Sequence, residues 1–220
     1  MKHKWIPGLS LILVVLFTTC AEKSHLTAPN HVDQISRQII ILYTNDEHGW
    51  MEATENSGGA AGMMGLWREN EGYVTDSSFI ILSGGDMWTG PAISTWFQGE
   101  SMTEVMNAME YSAAAIGNHE FDFGVNGLQA RLQQADFPFL SANIREKTTG
   151  NIPAFSTPYV IREVNGVRVG IIGLTTTTTP VSTFPDNVKD FDFIPYEDAL
   201  REVVPQVRAA GAQLLVVAGH

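Results

Sequence analysis

The chain has 220 residues, 44% of them hydrophobic and 17% charged, enough for one domain with a sizeable core and too apolar for wholesale disorder. Its net charge of −11 argues against long nucleic acid as a partner, because phosphate backbones require Lys and Arg clusters that this composition lacks. A small phosphate ester stays open, since a bound metal supplies positive charge locally.

Residues 1–20 read as a targeting segment rather than as part of a fold. Lys2 and Lys4 form a basic start, residues 6–17 an apolar stretch too short to span a bilayer comfortably, and Thr18-Thr19-Cys20 closes it. Without this segment 11 basic residues face 24 acidic ones, a net charge of −13. Cys20 is the only cysteine, which rules out a disulfide within the chain. Its position resembles a bacterial lipoprotein cleavage site, at which Cys20 becomes lipid-modified; plain secretion and a retained anchor are the alternatives. The expected location is extracytoplasmic, as a membrane-anchored lipoprotein or a periplasmic or secreted protein. Residues 21–37, with Ser, Thr, Pro and Asn and no periodicity, read as a tether, and residues 38–220 as the folded domain.

Residues 39–43 are a continuous apolar, β-branched run that suits a central strand covered on both faces. The run ends in Asn45-Asp46-Glu47-His48-Gly49. Asp46 and His48, two apart at a strand end, can point the same way as an oxygen–nitrogen pair for one metal, with Glu47 between them facing solvent. Ser57-Gly58-Gly59 opens a helix through Arg68, with Met63, Met64, Leu66 and Trp67 as its apolar side. Residues 79–82 form a second buried strand ending in Ser83-Gly84-Gly85-Asp86, where glycine lets the backbone approach closely and Asp86 projects as a carboxylate able to bridge two metals. A tight turn in which Asp86 satisfies its own backbone is the plainer alternative. The Lys and Ser/Thr of a nucleotide-phosphate loop are missing.

Ser101-Met102-Thr103-Glu104 has the capping-box pattern and predicts a helix to about Met109 with Val105, Met106 and Met109 buried. The small apolar run of residues 113–116 then breaks at Gly117 into Asn118-His119-Glu120-Phe121-Asp122, reading as a buried strand that delivers its end to a site. There Asn118 could hold a metal while His119, oriented by Asp122, stays free for substrate; a polar turn whose His caps something is the other reading. A helix near residues 128–134, a short strand over residues 137–141 and a hairpin at Asn165-Gly166 follow. Thr175 to Thr179 read as a β-prone polar loop rather than a site lining. Residues 196–210 read as a helix despite Pro205, and residues 214–217 as a last buried strand ending in Ala218-Gly219-His220. Four apolar strands thus each end in metal-competent residues, and the strand–helix alternation implies a layered α/β domain.

Taken together, the motifs Asn45-Asp46-Glu47-His48-Gly49, Gly85-Asp86-Met87-Trp88-Thr89-Gly90 and Gly117-Asn118-His119-Glu120-Phe121-Asp122 resemble those of the calcineurin-like metallophosphoesterases, and within them the bacterial 5′-nucleotidase family. Ser141-Ala142-Asn143-Ile144 and Gly173-Leu174-Thr175 also look like that family, and the similarity runs from about Ile39 to His220. The resemblance implies a layered α-β-β-α sandwich and a site for two divalent ions (Mn, Zn, Fe or Co). By it, Asp46 and His48 bind the first ion, Asp86 bridges, Asn118 binds the second and His220 is a further ligand. His119, oriented by Asp122, would stabilise charge on the transferring phosphoryl group. The family continues with further ligands and a C-terminal specificity domain, and neither lies within these 220 residues; the implied domain is the N-terminal part, incomplete at its C-terminus. The implied reaction is hydrolysis of a phosphate monoester, foremost a nucleoside 5′-monophosphate, by metal-activated water. Alternatives are a related hydrolase of cyclic nucleotides, nucleotide sugars or a sulfur ester, and a non-catalytic surface lipoprotein.

Overall fold

The computed structural model describes residues 37–75 and 78–220; the targeting segment with Cys20 and tether residues 21–36 lie outside the described residues. The first sheet consists of β1 (Ile40–Thr44), β2 (Phe79–Ser83), β3 (Ala113–Ala115) and β4 (Phe139–Leu140), all parallel and in that order. Parallel neighbours require crossovers, and helices supply them: α1 (Gly59–Asn70) after β1, α2 (Ala92–Thr95) and α3 (Glu100–Ala108) after β2, and α4 (Gly124–Gln134) after β3. The strand period of two sorts the apolar runs between two cores. Ile81, Ala114 and Phe139 face the helical side with Met64, Met106 and Leu128, whereas Ile80, Leu82, Ala113 and Leu140 face the second sheet.

That sheet follows β5 (Ile144–Glu146). It is built from the hairpin of β6 (Tyr159–Val164) and β7 (Val167–Leu174), turning at Asn165 (φ 49°) and Gly166 (φ 70°), both in the left-handed region a two-residue turn of this kind demands. Two short helices, α5 (Thr179–Ser182) and α6 (Pro185–Val188), lead to β8 (Phe191–Phe193), which pairs antiparallel with β5. Helix α7 (Tyr196–Ala209) runs through Pro205 and delivers β9 (Leu214–Gly219) parallel to β7. Ala199, Val203 and Val207, at four-residue intervals, bury one side of α7 against Ile172, Leu174 and Ala142. Helices, sheet, sheet and helix therefore stack in four layers, the α-β-β-α order that the resemblance implies.

Four local expectations fail. β1 has β2 as its sole sheet partner among the described residues and is an edge strand; Ile41 and Tyr43 are 41% and 48% exposed. Its continuous apolar run looks central because only the residues facing the helices, such as Leu42, are covered. Leu66 is exposed, since Met64 already points α1 at the core. The capping box is unused: α3 begins two residues earlier, with Gly99 (φ 80°) in the N-cap place, and the Ser101 hydroxyl donates to the Ile93 carbonyl (2.6 Å). Thr175 is not loop surface either. It is fully buried, its hydroxyl donating to the Ile116 carbonyl (2.6 Å) and lying 2.8 Å from the Ser141 hydroxyl, while Asn143 Oδ1 accepts its amide (2.8 Å), so a polar bond crosses between the two sheets.

Candidate metal centre

β1, β2 and β3 run the same way, so their C-terminal ends open on one side of the sheet, and β9 ends beside them. The loop after β1 is fastened to the loop after β2 by backbone bonds from Asp46, His48 and Gly49 to the carbonyls of Gly85, Asp86 and Met87 (3.1, 2.9 and 2.8 Å). Asp46, His48 and Asp86 all have positive φ (55°, 45° and 57°), a conformation costing roughly 1–3 kcal/mol each that persists only where surroundings enforce it. The backbone ties provide that enforcement. Glycine is required where the third loop closes in, because a Cβ on Gly117 would stand 2.2 Å from Asp86 Oδ1.

Asp86 is the centre of the arrangement, with its side chain 3% exposed. Its Oδ1 accepts the His119 amide (2.9 Å); its Oδ2 lies 3.1 Å from His220 Nε2 and 3.9 Å from His119 Nε2. Asp46 Oδ1 is 3.1 Å from the same His220 nitrogen and 3.5 Å from His48 Nε2. Two three-residue groups result, His48–Asp86–His119 and Asp46–Asp86–His220. Within each, one potential ligand atom per residue lies no more than 4.8 Å from the others, and Asp86 belongs to both. Burial raises the Asp86 carboxyl above its ordinary range, opposed by the His119 amide and the three imidazoles.

The surrounding bonds orient the donors. His48 Nδ1 faces the Thr89 carbonyl (3.0 Å), and a proton donated there leaves the Nε2 lone pair toward Asp46. His119 Nδ1 meets Asp122 Oδ2 at 2.7 Å, turning Nε2 toward Asp86. Asn118 is buried and donates through Nδ2 to the Ser182 carbonyl (3.0 Å), leaving Oδ1 available. His220 Nδ1 is buried without a partner. A carboxylate shared between two groups, unspent histidine nitrogens and a free amide oxygen form the oxygen–nitrogen donor set that borderline divalent cations accept, so these residues fit such ions.

All seven site residues expected from sequence are thus at the strand ends where the motifs put them, while Cys20 lies outside the described residues. Glu47 departs from expectation. It is half-buried rather than solvated, takes a hydrogen bond from the Thr44 hydroxyl and has Oε2 buried without a partner; burial pushes its carboxyl up, with the Thr44 bond opposing. Glu120 was missed altogether. It is fully buried and accepts three backbone amides, from Asp86 (2.8 Å), Met87 (2.8 Å) and Gly117 (2.6 Å), so it clasps the second loop to the third. Burial first and the Asp86 charge second push its carboxyl upward against those three donors. The available signal was a charged residue immediately before Phe121 in an otherwise buried turn.

No family model matches the chain. Among relatives, a snake venom 5′-nucleotidase from Gloydius brevicauda is 35% identical over 199 residues, covering 84% of this chain and 33% of that protein. Among solved structures, the 5′-nucleotidase precursor of Thermus thermophilus superposes with a TM-score of 0.71 at 29% identity, covering 83% of this chain and 37% of that one. The calcineurin-like phosphoesterase YfkN of Bacillus subtilis superposes at 0.69 with 25% identity, over 83% of this chain and 61% of that one. The chain belongs to the 5′-nucleotidase family of calcineurin-like metallophosphoesterases. Calcineurin-like phosphoesterases use divalent metals, and the donor set at Asp86 agrees with that membership. The family's relatives are longer proteins, and this chain spans about a third of the length of the curated one it matches.

Proposed function

We propose that this domain hydrolyses phosphate monoesters, nucleoside 5′-monophosphates foremost, with two divalent ions held at the ends of β1, β2, β3 and β9. The observation that carries the reading is the buried Asp86 common to two donor groups, next to a histidine held by its own carboxylate. Similarity to 5′-nucleotidases supports the substrate class. Asp46, His48, Asp86, Asn118 and His220 would hold the ions, with Asp86 shared between them. Ions bound there would lower the pKa of a water and offset charge on the phosphoryl oxygens.

The remaining chemistry belongs to the chain. Asp122 fixes the His119 ring through Nδ1, so that Nε2, a donor when the ring is doubly protonated, is aimed where negative charge develops on the phosphoryl group. The Thr89 carbonyl and the Ser182 carbonyl hold His48 and Asn118 in place, so little reorganisation is needed when substrate enters. Lys2, Lys4, the apolar residues 6–17 and Cys20 support action outside the cytoplasm on a lipid tether.

The test is phosphate release from adenosine 5′-monophosphate, p-nitrophenyl phosphate and a cyclic nucleotide, with and without Mn. Mn-dependent release from the 5′-monophosphate in excess of the cyclic ester is expected. Stoichiometric metal binding without release from any of the three would replace the proposal with a non-catalytic metal-binding surface protein.

A further inference from the structure

We infer that Thr183 is a positioning residue for the His119–Asp122 pair, and that the stretch from Ser182 to Asn187 is a strap holding the motif that follows β3. This inference rests on the proposed phosphoesterase reading for its kinetic arm only.

Asp122 has two carboxylate oxygens, and each has one assigned neighbour. Oδ2 meets His119 Nδ1 at 2.7 Å; Oδ1 accepts the Thr183 hydroxyl at 2.7 Å. With both oxygens engaged, the carboxylate plane cannot rotate without breaking a hydrogen bond, and the imidazole inherits that rigidity. The Asp122 side chain is 8% exposed, so solvent is poorly placed to substitute for a lost hydroxyl. The same stretch makes two further attachments. The Ser182 carbonyl accepts from Asn118 Nδ2 (3.0 Å), and Asn187 Nδ2 donates to the carbonyls of Phe121 (2.8 Å) and Asp122 (3.1 Å).

The way the strap is held argues that these bonds do more than stabilise it. Buried Thr179 and Val188 flank it, yet Val181 just before it and Phe184 within it are 84% and 65% exposed. Hydrophobic burial therefore does not pin its middle. Thr183 leaves α5 in extended conformation (φ −133°, ψ −172°), the break in helical geometry that turns its hydroxyl to Asp122 instead of to its own helix.

The experiment compares Thr183→Val, which keeps shape and removes the donor, with Thr183→Ser, which restores it, in the full chain. One readout is the long-range proton–nitrogen correlation of the His119 ring without added metal, at about pH 8 where an ordinary imidazole is neutral. The other is kcat and KM for phosphate release in Mn. For Thr183→Val we expect the single Nδ1–H tautomer of His119 to give way to a mixture, with kcat down about tenfold, the scale of one hydrogen bond to a charged group, and KM within about twofold. Thr183→Ser is expected to recover both. An unchanged tautomer signature in Thr183→Val, or a Ser variant as impaired as the Val variant, overturns the inference. If the unmodified chain releases no phosphate while the tautomer still shifts in Thr183→Val and recovers in Thr183→Ser, the positioning role stands and the phosphoesterase reading falls.

Discussion

The two ends of the four-stranded sheet are both polar, and they treat their polar groups in opposite ways. At the N-terminal end a cavity of about 600 Å³ is lined by residues including Tyr73, Asn107, Glu110 and Asp136. There Tyr73 and Thr75 both donate to Glu110 Oε2 (2.7 and 2.8 Å), and Asn107 donates to the Gln134 carbonyl while accepting the Asp136 amide. At the C-terminal end the loops leave Glu47 Oε2, Trp88 Nε1, Thr89 Oγ1, Ser94 Oγ and His220 Nδ1 buried without partners, and three non-glycine site residues sit at positive φ. The Glu110 carboxylate in the hollow is hydrogen-bonded although Glu110 too has positive φ (62°), whereas the opposite end leaves these polar atoms unpartnered around a shared carboxylate. Concavity is a poor guide here; unpartnered polar atoms gathered around a shared carboxylate mark the working end.

Substitutions sharpen that contrast. Asp86→Ala removes the carboxylate common to both donor groups, and phosphate release should fall by about 1,000-fold or more with loss of bound metal measured by elemental analysis. His119→Ala should lower kcat by about 100-fold with metal stoichiometry kept, because the ring acts on charge rather than on the ions. Retained turnover in either variant would move the chemistry away from this end. Leu140→Ala, fully buried between the sheets, should cost about 2–5 kcal/mol in denaturant unfolding, with comparatively little effect on the turnover of the fraction that stays folded.

The smallest effects belong to the N-terminal end. Hydrogen bonds from Tyr73 and Thr75 hold the Glu110 carboxyl below its ordinary value, so its contribution is present above the unfolded pKa and is lost as pH falls through the folded one. Tyr73 is pushed up to about 12, by burial first and Glu110 second. Its folded state keeps the proton longer, so that stability is complete below the unfolded value and declines as pH rises toward 12. Glu110→Gln should flatten both limbs of the stability–pH curve slightly and leave phosphate release unchanged. A turnover defect there would contradict the division between the two ends.

What was legible in the sequence follows from range. β2 and β3 announce themselves because a parallel strand buried on both faces is a continuous apolar run, and the polar residues after it stand out. The Asn165-Gly166 hairpin is equally plain, since two successive left-handed residues favour that pair. The β5–β8 pairing was not legible: three-residue strands carry no periodicity, and Phe191 and Phe193 are held by contact with the distant Phe121 ring. Glu120 stood in full view inside a recognised motif, yet its role depends on amides at Asp86 and Met87 that reach it only once β3 lies beside β2. The burial of Glu47 was hidden for a similar reason, because the Tyr111 hydroxyl that meets its partner Thr44 comes from the start of another strand.

The Glu120 clasp also bears on how this chain can vary over generations. A buried carboxylate whose three donors come from two loops tolerates neither an insertion nor a deletion in residues 84–90 or 117–122, because any change of length strands a charge in the interior. Residues 50–58 lie past the last backbone tie between the first loop and the second and carry no such clasp. Length polymorphism among descendants of this domain should therefore gather in that stretch, and the clasped loops should drift in side chains alone.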